Sequence, residues 1–424
     1  MVRSGAPGTL AMLVGGACFV AALACTGGGA DEEAGGDLDE VEQPEGREAR
    51  GKGARGGKRG GKSKGVRGSR PREGGGGKLR LAYNNGTALD RDDAGEMHAV
   101  WVDNGKVVYT RYAPDGKESK KTMATDATNF AVVDTDGDTG VVISWTSREG
   151  LFAVVSTNDG ATFSSPSKLT DEVVPAPTVR VWKTGGVMKK KTAATIAWHE
   201  GEAKVSGHIY ESTWTEGNWS TKRQVDDTDA AAEYASLGGS GDHQFMFYRD
   251  NRGGSGFDVY FRDRTELGGS WGPERKVARG FDPSVCVTDN GWVHVGYQHE
   301  VVAYYVRSTD KGQTWSEPTE LGPGLFSRVV CNEDGKVAIA WEWIDESRKS
   351  GHGKAAQSDE AKTFGLAMST DHGNHFDVTK PVDGWYVKFA TATLDAKGKL
   401  DLMYVDGRTN VVKIKTVPFA EEKK

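Results

Sequence analysis

Beyond residue 90 the chain keeps returning to one pattern, a short run of largely alternating apolar and polar residues that ends in a tryptophan or tyrosine. The copies read His98-Ala-Val-Trp101, Val142-Ile-Ser-Trp145, Thr195-Ile-Ala-Trp198, Gln244-Phe-Met-Phe-Tyr248, Val293-His-Val-Gly-Tyr297, Val337-Ala-Ile-Ala-Trp341 and Leu400-Asp-Leu-Met-Tyr404. Alternation with a period of two marks a strand. A second strand follows each aromatic, at 106–112, 151–156, 205–213, 258–264, 301–308, 364–369 and 410–417. The aromatics fall 44, 53, 50, 49, 44 and 63 residues apart. A repeat of that length, made of short strands and Gly/Asp turns, predicts one small antiparallel sheet per repeat.

Composition changes this picture only at the N-terminus. The 424-residue chain is 37% hydrophobic, holds 58 Gly and 12 Trp, and carries a net charge of -6. No apolar run of transmembrane length follows residue 25, which excludes a polytopic helical membrane protein. Arg3 and the apolar run from Thr9 to Ala24 read as a signal peptide over 1–24. Its end, Ala22-Leu23-Ala24-Cys25, resembles a bacterial lipobox. That resemblance implies lipidation at Cys25 and a membrane partner through the lipid anchor. With Thr26 next, it implies an outer-membrane lipoprotein facing the periplasm or the cell surface. Residues 25–77 carry eight acids and no base at 26–45, then eleven bases and one acid at 47–72, with Gly throughout. So few apolar residues cannot offset the entropy of ordering, and a disordered, acidic-then-basic tether is expected. In an exported protein the basic run suits anionic lipid better than RNA, and nucleic acid is not an expected partner.

Three of the second strands run into a turn of shared design: Ser308-Thr-Asp310-Lys-Gly312-Gln-Thr314-Trp315, Ser156-Thr-Asn158-Asp-Gly160-Ala-Thr162-Phe163 and Ser369-Thr-Asp371-His-Gly373-Asn-His375-Phe376. Gly accepts a positive φ, and Asp or Asn bonds the backbone of its own turn. The aromatic is placed to fold into the gap between neighbouring sheets. These segments resemble the Asp-box (BNR repeat) of sialidase-like β-propellers. The resemblance covers roughly 78–420 and implies an all-β propeller, placed at 78–424; a monomer is expected. Dividing 424 − 77 = 347 residues by seven gives about fifty per blade. Seven blades of four antiparallel strands are therefore expected, with six as the alternative. The last repeat lacks an outer strand, and Lys78–Asn84 is expected to supply it and close the ring.

The candidate chemistry is sparse. Inner strands begin near Asn129, Pro177, Glu233, Asp282, Arg328 and Lys388, so Glu233, Tyr234, Asp282, Arg328, Tyr386 and Lys388 are expected to line a central mouth. Polar groups and aromatics together suit a glycan or a protein ligand. The family resemblance implies three clamping arginines and a tyrosine nucleophile for sialidase activity. Only Arg328 and Arg180 qualify as clamps, and no Arg-Ile-Pro motif occurs. Glu233 and Tyr234, as strand neighbours, should point to opposite faces. A non-catalytic binding or scaffold platform is therefore expected ahead of an exo-sialidase-type hydrolase, with no cofactor. Asp134-Thr-Asp136-Gly-Asp138 alternates oxygens as a calcium loop does, but it lacks the later Glu and sits at a turn. His372 and His375 flank Asp371 in an exposed loop, so no metal is expected. Cys286 and Cys331 occupy similar places in successive repeats. Export permits a disulfide between them, and two buried thiols are the alternative.

Overall fold

The computed structural model describes residues 79–82, 85–184, 191–201, 205–240, 243–254, 256–348, 361–382 and 384–419. The expected signal peptide, Cys25 and the tether lie outside them. Among the described residues no helix is long and apolar enough to cross a membrane.

The strands form antiparallel meanders grouped by hydrogen bonding into six sheets. In the first, Leu79–Arg80 and Leu89–Arg91 both pair with Met97–Asp103, followed outward by Lys106–Tyr112 and Glu118–Ala124. The second runs Ala127–Thr135, Val141–Ser147, Gly150–Ser156 and Ser167–Thr170. The third begins with Thr178–Thr184, Lys191–Glu200 and His208–Thr215, and the fourth with Ala232–Ser240, His243–Asp250 and Asp258–Arg264. The fifth has seven strands, because Thr319–Cys331 pairs with Val302–Ser308 through its first half and with Val337–Ile344 through its second. The sixth is Val387–Leu394, Leu400–Asp406 and Val411–Val417.

These sheets stack face to face in a closed ring, an all-β propeller. Stacking covers both faces of the middle strands, so Val141–Ser147 is buried at every position, whereas the outer strand Glu118–Ala124 is largely exposed. The cores lie between sheets. Val100 and Tyr109 pack on Ala131, Val133, Ile143 and Trp145, and Phe247 and Phe261 pack on Val285, Val295 and Tyr297. Closure is visible where Leu89 and Ala99 of the first sheet join one core with Met403 and Val405 of the last. Six of the seven repeat aromatics are buried, and Tyr404, in the three-stranded last sheet, is half-buried.

Closure differs from the expectation. Leu79 and Arg80 pair with Asp103 and Val102 of the first sheet, so the earliest strand extends the inner edge of its own sheet. The last sheet keeps three strands among the described residues.

The three repeated turns share one bonding scheme. Ser156, Ser308 and Ser369 each accept the Gly N–H four residues on (Gly160, Gly312 and Gly373) and donate to Asn158, Asp310 and Asp371. The Thr314 hydroxyl and N–H, with Ser308, hold the Asp310 carboxyl down to about 2. Gly160 has φ 69°, and a Cβ there would lie 2.0 Å from the Tyr109 hydroxyl oxygen. Phe163, Trp315 and Phe376 then stand edge-on against Tyr109, Phe261 and Tyr305 of the preceding meander.

Candidate binding channel

The first strand of each meander faces the ring axis, and these inner strands enclose a channel of about 510 Å³. Polar groups on one inner strand capture N–H groups of the next. Thr135 N donates to Asp90 (3.0 Å), Val181 N to Asp134 (2.6 Å), Val285 N to Ser236 (3.2 Å) and Val329 N to Ser284 (3.1 Å). One end of the channel is crossed by the segment between the two inner pieces of the first sheet. Asn85 donates to Ala176 O (3.2 Å) and Ala235 O (2.7 Å), Val133 N donates to Thr87 O (2.7 Å), and Arg328 donates to the Thr87 hydroxyl (2.6 Å). Residues 85–87 thus touch four separate meanders and form a floor beneath the channel, which opens at the C-terminal ends of the inner strands.

Alternation places Arg180 and Trp182 on the same side of their strand, and both line the channel. Arg328 faces them from the Thr319–Cys331 strand. Arg180 lies 3.3 Å from Asp134, which is buried. Burial pushes the Asp134 carboxyl up to about 7 against the opposing pull of Arg180. Burial also lowers the Arg328 guanidinium to about 10, with Asp134 and Asp90 opposing. The Nε groups of Arg180 and Arg328 and the indole N–H of Trp182 make no hydrogen bond within the described residues. These three donors are buried in the channel wall, to whose lining Arg180 and Arg328 contribute arginines.

Of the six residues expected at the mouth, only Arg328 lines this channel. Glu233 and Asp282 are buried on Arg249, which donates twice to Glu233 (3.0 and 2.6 Å) and once to Asp282 (3.0 Å). Tyr234 stacks on the same guanidinium at 4.2 Å and lies 4.9 Å from the His199 ring. Burial pushes His199 down to about 4. Glu233 and Tyr234 therefore meet one group, contrary to strict alternation. The reason is a bulge between Glu233 and Ser236, with Tyr234 at φ 52°. Asp282 (φ 54°) sits in a matching bulge. Tyr386 lies beneath the Arg408 guanidinium (4.6 Å), and Lys388 is half-buried away from the channel lining.

Cys286 and Cys331 form a disulfide, with Cα atoms 5.9 Å apart in inner strands on the channel wall. The run beginning at Asp134 is split in use. Asp134 serves the channel, and Asp136 accepts Asp138 N (3.0 Å) and Gly140 N (2.9 Å) in a turn. His375 is bonded to Asp371 (2.6 Å), and His372 packs on Trp292, with ring centres 4.7 Å apart. The signal available in sequence for the channel was Thr178-Val-Arg180-Val-Trp182, a charge within an otherwise buried strand.

The chain matches no family model and no curated protein. Among solved structures, the polysaccharide lyase Uly1 is similar with a TM-score of 0.51 at 10% identity, covering 79% of this chain and 90% of its own. A six-bladed β-propeller lectin of Aleuria aurantia aligns with a TM-score of 0.46 at 12% identity, over 73% of this chain and 98% of its own. The α-L-arabinofuranosidase of Fusarium graminearum gives 0.45 at 13% identity, over 69% and 92%. At these identities the likeness is one of fold.

Proposed function

We propose that the protein is an exported, lipid-anchored binding platform whose propeller holds a carboxylate-bearing saccharide in its central channel. The observation that carries the proposal is Arg328. Its guanidinium faces the channel, bonds only the Thr87 hydroxyl, and pairs with no carboxylate among the described residues. A guanidinium so placed suits a ligand carboxylate, and Arg180, beside Asp134, adds a second cation to the channel wall. Seven blades are the count this reading uses, because the two halves of Thr319–Cys331 serve two meanders. The Asp-box turns support a sialidase-like propeller, and Ala22-Leu23-Ala24-Cys25 supports the outer-membrane lipoprotein assignment.

A hydrolase of sialidase type would need three free arginines and a tyrosine, and Arg180 is paired with Asp134. No tyrosine lines the channel among the described residues, and Arg91 is tied to Asp401. A fluorogenic sialoside assay separates the two readings. For binding, titration calorimetry compares sialic acid and glucuronate with glucose on wild type and R328M. The acidic sugars should bind, and R328M should weaken them at least tenfold. Equal binding of glucose, or an unaffected R328M, would refute the site. Retention of C25A in the membrane fraction would refute the anchor.

A further inference from the structure

Asp92, Glu96, His98 and Asp159 converge between the first and second sheets, outside the residues that carry the saccharide reading. One ligand atom from each lies within 4.8 Å of the others. The frame beneath them occurs twice in the molecule. His98 Nδ1 lies 2.7 Å from the Tyr109 hydroxyl, and His294 Nδ1 lies 2.7 Å from that of Tyr305, in each case 196 residues on (294 − 98; 305 − 109). Both tyrosines receive the aromatic of a repeated turn, Phe163 or Phe376. Arg111 and Arg307, again 196 apart, both reach into that turn. The second frame carries Thr288, Trp292 and His372 where the first has Asp92, Glu96 and Asp159. The His–Tyr–Arg frame therefore forms without those three acids, and one copy carries carboxylates at positions where the other has none.

His98 is fully buried, with Nε2 aimed into the cluster at 3.2 Å from Asp159 Oδ1 and 3.9 Å from Asp92 Oδ2. Neither His98 Nε2 nor Asp159 Oδ1 makes a hydrogen bond. The geometry points to a site for a divalent transition-metal cation of the Zn²⁺ or Mn²⁺ class, held by His98 Nε2 and the carboxylates of Asp92, Glu96 and Asp159. One imidazole with carboxylates is a donor set for such ions. Tyr109 on Nδ1 fixes the tautomer that leaves Nε2 to ligate. Arg111 donates to Glu96 Oε2 and Asp159 Oδ2, which leaves Asp159 Oδ1 towards His98. Asp92 Oδ1 accepts Glu96 N (2.7 Å), which leaves Oδ2 for the ion.

The test is titration of the chelator-treated full chain with Zn²⁺, Mn²⁺ and Ca²⁺, in wild type, D159N and D92T. Asn tolerates the left-handed backbone of residue 159 (φ 57°), and Thr is the residue that the second frame already holds. Melting curves without metal check that D159N and D92T fold. Wild type should bind one more equivalent of Zn²⁺ or Mn²⁺ than either substituted chain. Affinity should fall at least 100-fold in D159N and in D92T, and the metal-induced rise in Tm should be lost from both. Metal taken up by the tether is common to all three proteins and cancels. Equal uptake by wild type and D159N, or tight binding of Ca²⁺ alone, would overturn the site.

Discussion

Arg249→Met removes a cation that pairs with both Glu233 and Asp282 where the fourth and fifth sheets meet. The guanidinium donates three hydrogen bonds of 2.6 to 3.0 Å to the two acids. It also lies over the rings of Tyr234 and Phe257, at 4.2 and 4.4 Å. Burial alone would lower it, but Asp282 and Glu233 hold it above the ordinary arginine value. Methionine fills much of the space but withdraws the guanidinium from two buried carboxylates. Breaking a buried pair from one side costs about 3–5 kcal/mol. Over the 314 described residues, at about 2.1 cal/mol/K each, that cost corresponds to a fall in Tm of about 5–8 °C. Urea unfolding at pH 7.5 and calorimetry measure it. R249M/E233Q/D282N should recover most of the loss. A loss below about 1 kcal/mol, or no recovery in R249M/E233Q/D282N, would refute the claim that Arg249 neutralises these acids.

Other outcomes follow from the channel and the turns. Asp134 is neutral below about pH 7 and an anion above it, so an acidic saccharide should bind more weakly from pH 6 to 8, and D134N should flatten that profile in calorimetry. The same raised carboxyl gives a stabilising contribution that is complete below about pH 4 and is lost as pH rises through about 7, so the Tm difference between D134N and wild type should change sign or size across that window. Gly160→Ala, with φ 69° and the Tyr109 hydroxyl in its path, should cost about 2 kcal/mol or more in denaturant unfolding, and Y109F should return part of it. Replacing Cys286 and Cys331 with Ala frees a loop with a sequence separation of 45, a loss of about 4 kcal/mol by chain entropy, and an unchanged midpoint would contradict it.

The rhythm of strands and aromatics was legible because each meander is local in sequence and each strand repeats its own alternation. The turns at 156–163, 308–315 and 369–376 were legible for the same reason, since their bonds lie within five residues. What failed was non-local. Lys78–Asn84 has a pattern that suits an inner or an outer edge equally, and only the partner, Asp103 or a residue of the last strand, decides between them. Glu233 and Asp282 were misplaced because alternation assumes an unbroken register. Left-handed residues at Tyr234 and Asp282 turn charges towards Arg249, a partner on the next strand outward and a full meander away from Asp282. Asp134 and Arg180 were visible separately, as a turn and a stray charge, but their meeting depends on two inner strands 46 residues apart.

Like most joints between the meanders, the one between the last and the first carries no shared backbone ladder among the described residues, and here one side is the three-stranded last sheet; Met403 and Val405 share a core with Leu89 and Ala99, and Arg91 pairs with Asp401. Side-chain adhesion of this kind can part without first unzipping a sheet. Amide protons of 411–417 should therefore exchange before those of any interior strand. Under mechanical pull or dilute denaturant, the annulus is expected to come undone at that seam, with the residues at 85–87 still corked in the lumen.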